Sequence, residues 1–320
     1  MTLRLVALFA ILGIGVASWM LTCAAWRFDE VAAGVLPLEA RRFDRMTVVT
    51  LGTGGAYENH LRRGPSTAVA LGERVVLIDA GRAVAESLRA AKIPVSQPDT
   101  VLLTNLLPEN TLGLDDLLVT AWTRGRTEPL RLLGPPGTEA LARAVEESAR
   151  RGADAWGRAL GPESRPVFEA SELSDGWSHE TGELRIHAAA LPGGPTEALA
   201  YRFEWRGRSV VVSATGWGPD ALARFARGAQ LLVHDGAMVP TPEEAAQLGL
   251  EEEPDRLRRE AALYTSLEAA AGVARRAGVE ELVLVRLRPP PVYDLQITSI
   301  VGKGFDGRIA IADDGDEFTP

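Results

Sequence analysis

Residues 101–118, VLLTNLLPENTLGLDDLL, decide the architecture. An apolar run, Val101-Leu102-Leu103, stops at Thr104; a polar bend, Pro108-Glu109-Asn110, follows; an apolar-periodic segment then opens at Thr111. That order predicts strand, loop, helix. In open α/β folds the loop leaving the carboxyl end of a strand is where ligands and catalytic groups gather. This loop is therefore the first candidate for a site.

Upstream, Met46–Leu51 reads as a β-branched strand ending in Gly52-Thr53-Gly54-Gly55. The glycine spacing matches neither common phosphate-loop fingerprint, and no Lys-Ser/Thr follows, so a tight structural turn is the better reading. Residues Pro65–Ala70 and Arg74–Asp79 predict a hairpin turning at Gly72-Glu73. It closes at Ile78-Asp79-Ala80-Gly81, where Asp79 is read as a cap on a helix over Arg82–Ala91 in preference to a base behind the loop. Downstream, Leu130–Leu133 is a short strand, and Gly134-Pro135-Pro136-Gly137-Thr138 introduces a helix over Glu139–Arg150.

Residues Arg151–Glu180 read as a polar excursion between two halves of the fold. Strands over Leu184–Ala189, Leu199–Trp205, Ser209–Ser213 and Gln230–Val233, with a helix over Pro219–Arg227, build a second sheet. The charged stretch Met238–Ala262 is read as a solvated loop or frayed helix. A helix over Ser266–Ala277, a last core strand at Glu281–Leu287 and an edge strand at Arg308–Asp313 complete the chain. Strand–helix alternation in two successive halves predicts an α/β fold, an αββα sandwich of two facing mixed sheets with helices outside.

The chain has 320 residues, 46% hydrophobic and 24% charged, which is ordinary globular composition. A formal charge of −9 and a pI near 5.2 argue against a broad nucleic-acid-binding face, so no nucleic acid is expected as a partner. Lys92 and Lys303 are the only lysines, which reads as the coding bias of a GC-rich bacterium. Cys23 is the only cysteine, leaving no disulfide and no thiolate for a metal or a nucleophile in the domain that follows.

Residues 1–26, MTLRLVALFAILGIGVASWMLTCAAW, hold a nearly unbroken apolar run, long enough for a bilayer crossing that takes about 20 residues. An uncleaved anchor, with residues 5–26 in the membrane, is favoured over a cleaved signal peptide. The expected organisation is anchor or signal peptide at 1–26, linker at 27–45 and one domain at 46–320. The expected location is the inner membrane, single-pass, with the domain periplasmic or extracellular; secretion after cleavage is the alternative.

The central stretch resembles the signature of the metallo-β-lactamase superfamily, most closely its ribonuclease Z and arylsulfatase-like branch. There, Thr-His-x-His-x-Asp-His is followed by Gly-Leu and an acidic-apolar helix. Here Thr104 precedes the motif and Thr111-Leu112-Gly113-Leu114-Asp115-Asp116-Leu117 follows it. The Leu51-Gly52-Thr53-Gly54 opening, the Asp79-Ala80-Gly81 step and Gly134-Pro135-Pro136-Gly137-Thr138 resemble the same branch.

The resemblance implies a two-metal site, yet its positions carry other chemistry. Asn105, Leu107, Glu109 and Asn110 stand at the four metal-binding places of the loop. Further on, Gly193 stands at the next histidine, Thr215 at the bridging aspartate, Tyr264 at the His of a His-Thr-Ser stretch, and Arg286 at the last histidine. Catalytic zinc takes about three protein ligands and an open position. Glu109 is the one conventional ligand left, and a guanidinium cannot be deprotonated away. No zinc or other cofactor is expected. A site rebuilt from His234, Asp79 and Glu109 is the lesser alternative. His60, His179, His187 and His234 fall on none of the matched positions; His234, in Val233-His234-Asp235, is read as structural before catalytic.

These readings favour a catalytically degenerate, membrane-tethered protein that acts by binding a small anion or a protein partner. Glu109, Tyr264, Arg286, Asp79 and His234 are its candidate ligand-binding residues, with a Glu109–Arg286 ion pair, direct or through a water, as its charge centre. The alternative is a hydrolase of ester or phosphoester bonds that uses metal-independent chemistry at Glu109, Tyr264 and Arg286.

Overall fold

The computed structural model describes residues 2–56, 60–160, 164–213, 217–247, 249, 253–288 and 294–320. They divide into an amino-terminal unit, Met1–Glu39, and a compact unit, Ala40–Pro320. The first unit is a helix, α1 (Thr2–Val35). It does not stop where the apolar run stops, but continues through Arg27, Asp29 and Glu30 into the stretch expected to be a linker. Among the described residues no helix is long and apolar enough to cross a membrane. The membrane segment at 5–26, and the inner-membrane location that depended on it, are corrected accordingly.

The compact unit holds two seven-stranded sheets. The first is built from β1 (Phe43–Gly52), β2 (Ser66–Gly72), β3 (Arg74–Ile78), β4 (Thr100–Leu102), β5 (Leu130–Gly134) and β6 (Phe168–Glu172). The second has β7 (Ser178–Thr181), β8 (Leu184–Ala190), β9 (Leu199–Trp205), β10 (Arg208–Val212), β11 (Leu231–Ala237), β12 (Glu281–Arg288) and β13 (Arg308–Ile311). A last strand, β14 (Glu317–Phe318), returns to pair with β1 at the edge of the first sheet. In each sheet the antiparallel hairpins give way to a parallel run that reaches one edge, β3-β4-β5-β6 in one and β10-β11-β12-β13 in the other. Parallel strands are covered on both faces, and their residues read as near-continuous apolar runs rather than alternating ones. Val75-Val76-Leu77-Ile78 and Leu231-Leu232-Val233 are such runs, buried throughout.

Between the sheets Met46, Val69, Ile78 and Leu102 meet Tyr201, Phe203, Val212 and Val283. Outside the first sheet pack α2 (Val84–Ala90), α4 (Leu114–Thr123) and α5 (Thr138–Leu160), with the one-turn α3 (Pro108–Thr111) in the connection from β4 to α4. Outside the second pack α6 (Pro219–Phe225), α9 (Leu267–Ala277) and α10 (Asp294–Val301), with the short α7 (Pro242–Gln247) and α8 (Pro254–Ala261) in the connection from β11 to α9. This is the αββα sandwich expected from the sequence. Three local readings need correction. The bend at Pro108 is a helical turn, because a proline at the first helical position gives up an N–H that would lack a partner anyway. Helix α5 runs on to Leu160, through residues expected to be an excursion, with Ala142 and Ala153 on its buried side. The charged stretch after Met238 holds α7 and α8, each opened by a proline. Glu251 and Glu252 of that stretch lie outside the described residues.

Glycines bring the loops at one end of the first sheet into backbone contact. A Cβ on Gly52 would sit 1.9 Å from the Gly64 carbonyl oxygen, and one on Gly64 would sit 2.3 Å from the Arg82 nitrogen. A Cβ on Gly81 would lie 2.5 Å from the Gly64 carbonyl carbon, and one on Gly113 2.1 Å from the Gly81 carbonyl oxygen. Backbone bonds run through the same stack, from Gly64 to Arg82, Gly81 to Pro65, and Gly113 to Ala80. The Gly52 turn is thus a packing device that sets the height of the β3–α2 loop.

Gly81→Ala should lower unfolding stability in urea by at least about 1–3 kcal/mol, the usual cost of overpacking. Gly152→Ala, on a helical position where a Cβ meets nothing within 4 Å, should instead raise it by about 0.5–1 kcal/mol.

Candidate functional site

The site lies where the carboxyl ends of β3, β4, β11 and β12 meet between the sheets. Asp79 follows β3 with φ 62, a left-handed conformation rare for a residue with a Cβ. Its backbone N–H donates to Leu102, and its fully buried carboxylate faces the start of the next loop. Thr104 donates to Asp79 Oδ1 through its backbone N (2.8 Å) and hydroxyl (3.0 Å), and the hydroxyl also lies 2.8 Å from Oδ2. Asp79 caps no helix. The residue before α2 is Ala83, itself left-handed and without a side-chain cap.

The loop after β4 is held by its own side chains. Asn105 Oδ1 accepts from the Leu107 backbone N at 2.9 Å, a local turn typical of asparagine. The same oxygen accepts from Asn110 Nδ2 at 2.6 Å. Asn110 sits in α3, and its backbone carbonyl accepts from Ala80 at 2.8 Å. From the second sheet, Tyr201 donates its hydroxyl to the Leu103 carbonyl at 2.6 Å, and Leu199 donates to Thr104 at 2.7 Å. Burial, with Asp79 nearby, pushes the Tyr201 hydroxyl well above its ordinary pKa, so it stays a neutral donor.

Arg286 crosses from the second sheet to complete the cluster. It too is left-handed, with φ 56, and its backbone N donates to the Thr53 carbonyl at 2.8 Å. Its guanidinium donates to Asp79 Oδ2 through Nη2 and to Asn110 Oδ1 through Nη1. The carboxylate that Arg286 pairs with is therefore Asp79, in place of the Glu109 expected from the sequence. Both residues have positive φ, Asp79 just after β3 and Arg286 near the carboxyl end of β12, and their side chains meet between the sheets. Burial pushes the Asp79 carboxyl above its ordinary value, against the pull of Arg286 and Thr104 in the other direction. Two left-handed residues cost of order 1–3 kcal/mol each. Such strain persists where surrounding bonds over-determine the geometry, as these do.

On the neighbouring strand, the buried Asp235 accepts from the Thr265 backbone N at 3.1 Å and from its hydroxyl. Thr265 returns a carbonyl to Ala237 at 2.7 Å. These bonds fix the segment carrying the half-buried Tyr264. His234 is fully buried, with Nδ1 3.0 Å from Asp235 Oδ1 but no aligned hydrogen bond at either ring nitrogen. It offers nothing to a ligand arriving from solvent. Gly193 is on an exposed turn that lines a separate cavity of about 550 Å³, together with Pro135, Pro136, Asp175, Glu197 and Leu199. Thr215 lies outside the described residues. The expected positions Asn105, Glu109, Asn110 and Arg286 therefore fall in one buried neighbourhood, and Asp79 joins them as a principal rather than as a cap. Thr53, Thr104, Tyr201, Asp235 and Thr265 escaped the sequence reading. Their signals in the sequence are the Asp-x-Gly step and the Thr that opens the loop.

Among the described residues no group of three or more His, Cys, Asp and Glu side chains could hold a metal ion. A dication 4 Å from the Arg286 guanidinium would meet a repulsion of about 8 kcal/mol at an effective dielectric near 20, twice the value for unit charges. Full ligand sets give zinc about 10–16 kcal/mol, and this cluster has no such set. The residues present do not fit the metal pair that the fold family implies.

No family model matches the chain. Ribonuclease Z of Mycobacterium sp. (strain KMS) is 32% identical over 282 residues, covering 83% of this chain and 93% of that protein. Ribonuclease Z of Mycobacterium avium (strain 104) is 31% identical over 278 residues, covering 83% and 95%. Among solved structures, the metallo-beta-lactamase fold protein YhfI from Bacillus subtilis superposes with a TM-score of 0.67 at 17% identity, covering 87% of this chain and all of that one. Human tRNase Z, short form, superposes with a TM-score of 0.63 at 16% identity, covering 86% and 99%. These two establish the fold.

The Mycobacterium relatives correct the functional expectation. A catalytically degenerate, membrane-tethered binding protein with no nucleic-acid partner does not accord with near-full-length likeness to proteins named as ribonucleases. If the chain is active, it is a hydrolase.

Asp79→Asn keeps the shape but strips the guanidinium of its counter-charge, and should cost about 3–5 kcal/mol in urea unfolding. Asn110→Ala removes a neutral acceptor from Arg286 and a donor from Asn105, strands no charge, and should cost only about 1–3 kcal/mol.

Proposed function

The chain belongs to the ribonuclease Z family of metallo-β-lactamase-fold proteins, and on that footing we propose that it acts on RNA, as a hydrolase of phosphodiester bonds. The observation that carries this reading is the likeness to Ribonuclease Z over 93% of the relative's length. The site is compatible with it. Arg286 keeps N–H groups beyond those given to Asp79 and Asn110, and guanidinium N–H groups suit phosphate oxygens. Asp79 and Asp235 are sealed at 0% and 1% exposure, whereas Glu109 retains 7%. Of the three, Glu109 is the carboxylate proposed to take a proton from a water attacking phosphorus.

The net charge of −9 is no obstacle, because binding depends on the field at the site rather than on the sum over the surface. Arg62, Arg63 and Arg82 flank the same loops as the cluster: Arg62 is tied to Thr53 and Asp313, Arg63 has a side chain 39% exposed, and Arg82 reaches toward Gly55. Phosphate contacts by such residues supply affinity that falls with salt.

Purified protein should bind and cleave labelled RNA when offered structured and single-stranded RNAs, transfer RNA transcripts included, with fragments read on a sequencing gel. Glu109→Gln should slow cleavage by about 10²-fold or more, the scale of a lost general base, in protein shown to be folded. Absence of both saturable binding and cleavage in a protein shown to be folded would refute the reading.

A further inference from the structure

We infer that the Arg286 guanidinium is the resident cation of this site, joining the two sheets at the place where the fold family uses bound metal. The inference goes beyond the RNA reading and stands without it. The bonds around the cluster support it first. Asp79 Oδ1 takes the Thr104 backbone N and lies within reach of the Thr104 hydroxyl, and Oδ2 takes Arg286 and faces the same hydroxyl. A carboxylate presents about four lone-pair directions, so a metal could reach this one only by displacing the arginine. Asn110 Oδ1 is committed to the same guanidinium, and Asn105 Oδ1 to Asn110 Nδ2 and the Leu107 backbone. The side-chain oxygens of Asp79, Asn105 and Asn110 are thus committed to donors of the cluster itself, and the buried group without a hydrogen bond there among the described residues is a donor, Asn105 Nδ2.

Connectivity supports it second. Asp79 belongs to the β3–α2 loop of the first sheet, Thr104 and Asn105 to its β4–α3 loop and Asn110 to α3, whereas Arg286 lies near the carboxyl end of β12 in the second. Its backbone N also reaches across, to Thr53. A bridging metal draws ligands from several loops to one centre, and here one side chain with a planar fork of donors does so from a single position. The conformation supports it third. Left-handed backbone at both Asp79 and Arg286 aims the two side chains at each other, so the pairing is written into the main chain.

The consequence is a fold whose closure needs no divalent ion. The full chain, purified without chelator from medium supplemented with zinc, iron and manganese, should carry no stoichiometric metal by elemental analysis. Its melting temperature should be unchanged by chelator or by added zinc. In a double-mutant cycle, Arg286→Gln and Asp79→Asn should each lower the urea midpoint, and the double variant should lie above the sum of the two losses, because each single change strands the other's charge. Stoichiometric metal in the wild-type chain, a chelator-induced fall in melting temperature, or strict additivity in the cycle would overturn the inference. None of these outcomes bears on whether RNA is cleaved, so failure here and failure of the RNA reading are told apart.

Discussion

The ion pair between Asp79 and Arg286 governs how the rest of the site is built. An isolated charge sealed between two sheets is not tolerated, and a buried pair is held only if its other lone pairs and protons are also satisfied. Thr104 meets that demand for the carboxylate, and Asn110 for the guanidinium. Each of these commits a further neighbour. Thr104 lends its carbonyl to Leu199, and Asn110 gives its amide to Asn105, which in turn shapes the loop ahead of α3. One electrostatic requirement thus spreads through hydrogen bonds until it has specified the conformation of three loops.

The glycine stack is the steric counterpart of that requirement. Gly52, Gly64, Gly81 and Gly113 let three loops lie backbone on backbone beneath the pair. Asp79 can face inward with positive φ because Ala80 and Gly81, directly after it, are fixed by bonds to Asn110 and Pro65. Between β1 and β2 of the same sheet, Arg62 plays a comparable part, gripping Thr53 and, beyond β13, Ala312 and Asp313, so that the residue accepting Arg286's backbone bond cannot drift.

The layers of the fold were legible because their signal is local. Val75–Ile78 and Leu231–Val233 are buried runs that announce parallel strands, and strand–helix alternation orders them. The loop between β4 and α4 was recognisable as the place to look. Who pairs with whom was not. Glu109 and Arg286 carry opposite charges at matched positions, so their pairing looked natural, yet the outcome turned on left-handed backbone at an aspartate followed by alanine, which no local rule anticipates. Helix α3 was missed because Pro-Glu-Asn is turn chemistry and also a good first turn of helix. Net charge misled in another way, as a total that says nothing about where the arginines stand. Length of apolar run misled at the amino terminus, where α1 continues past it into charged residues.

The pair also has a bearing on the order in which the molecule comes together. Asp79 and Arg286 are 207 residues apart in sequence. Contacts across so long a loop form only after nearer ones have restricted the chain, since closure entropy must be met before they yield anything. Each sheet can assemble largely from its own successive strands, with Arg286 still outside the opposite loops. The reactive end of the sandwich is then the last part to acquire its native form, and an immature molecule would present a finished scaffold with an unassembled centre.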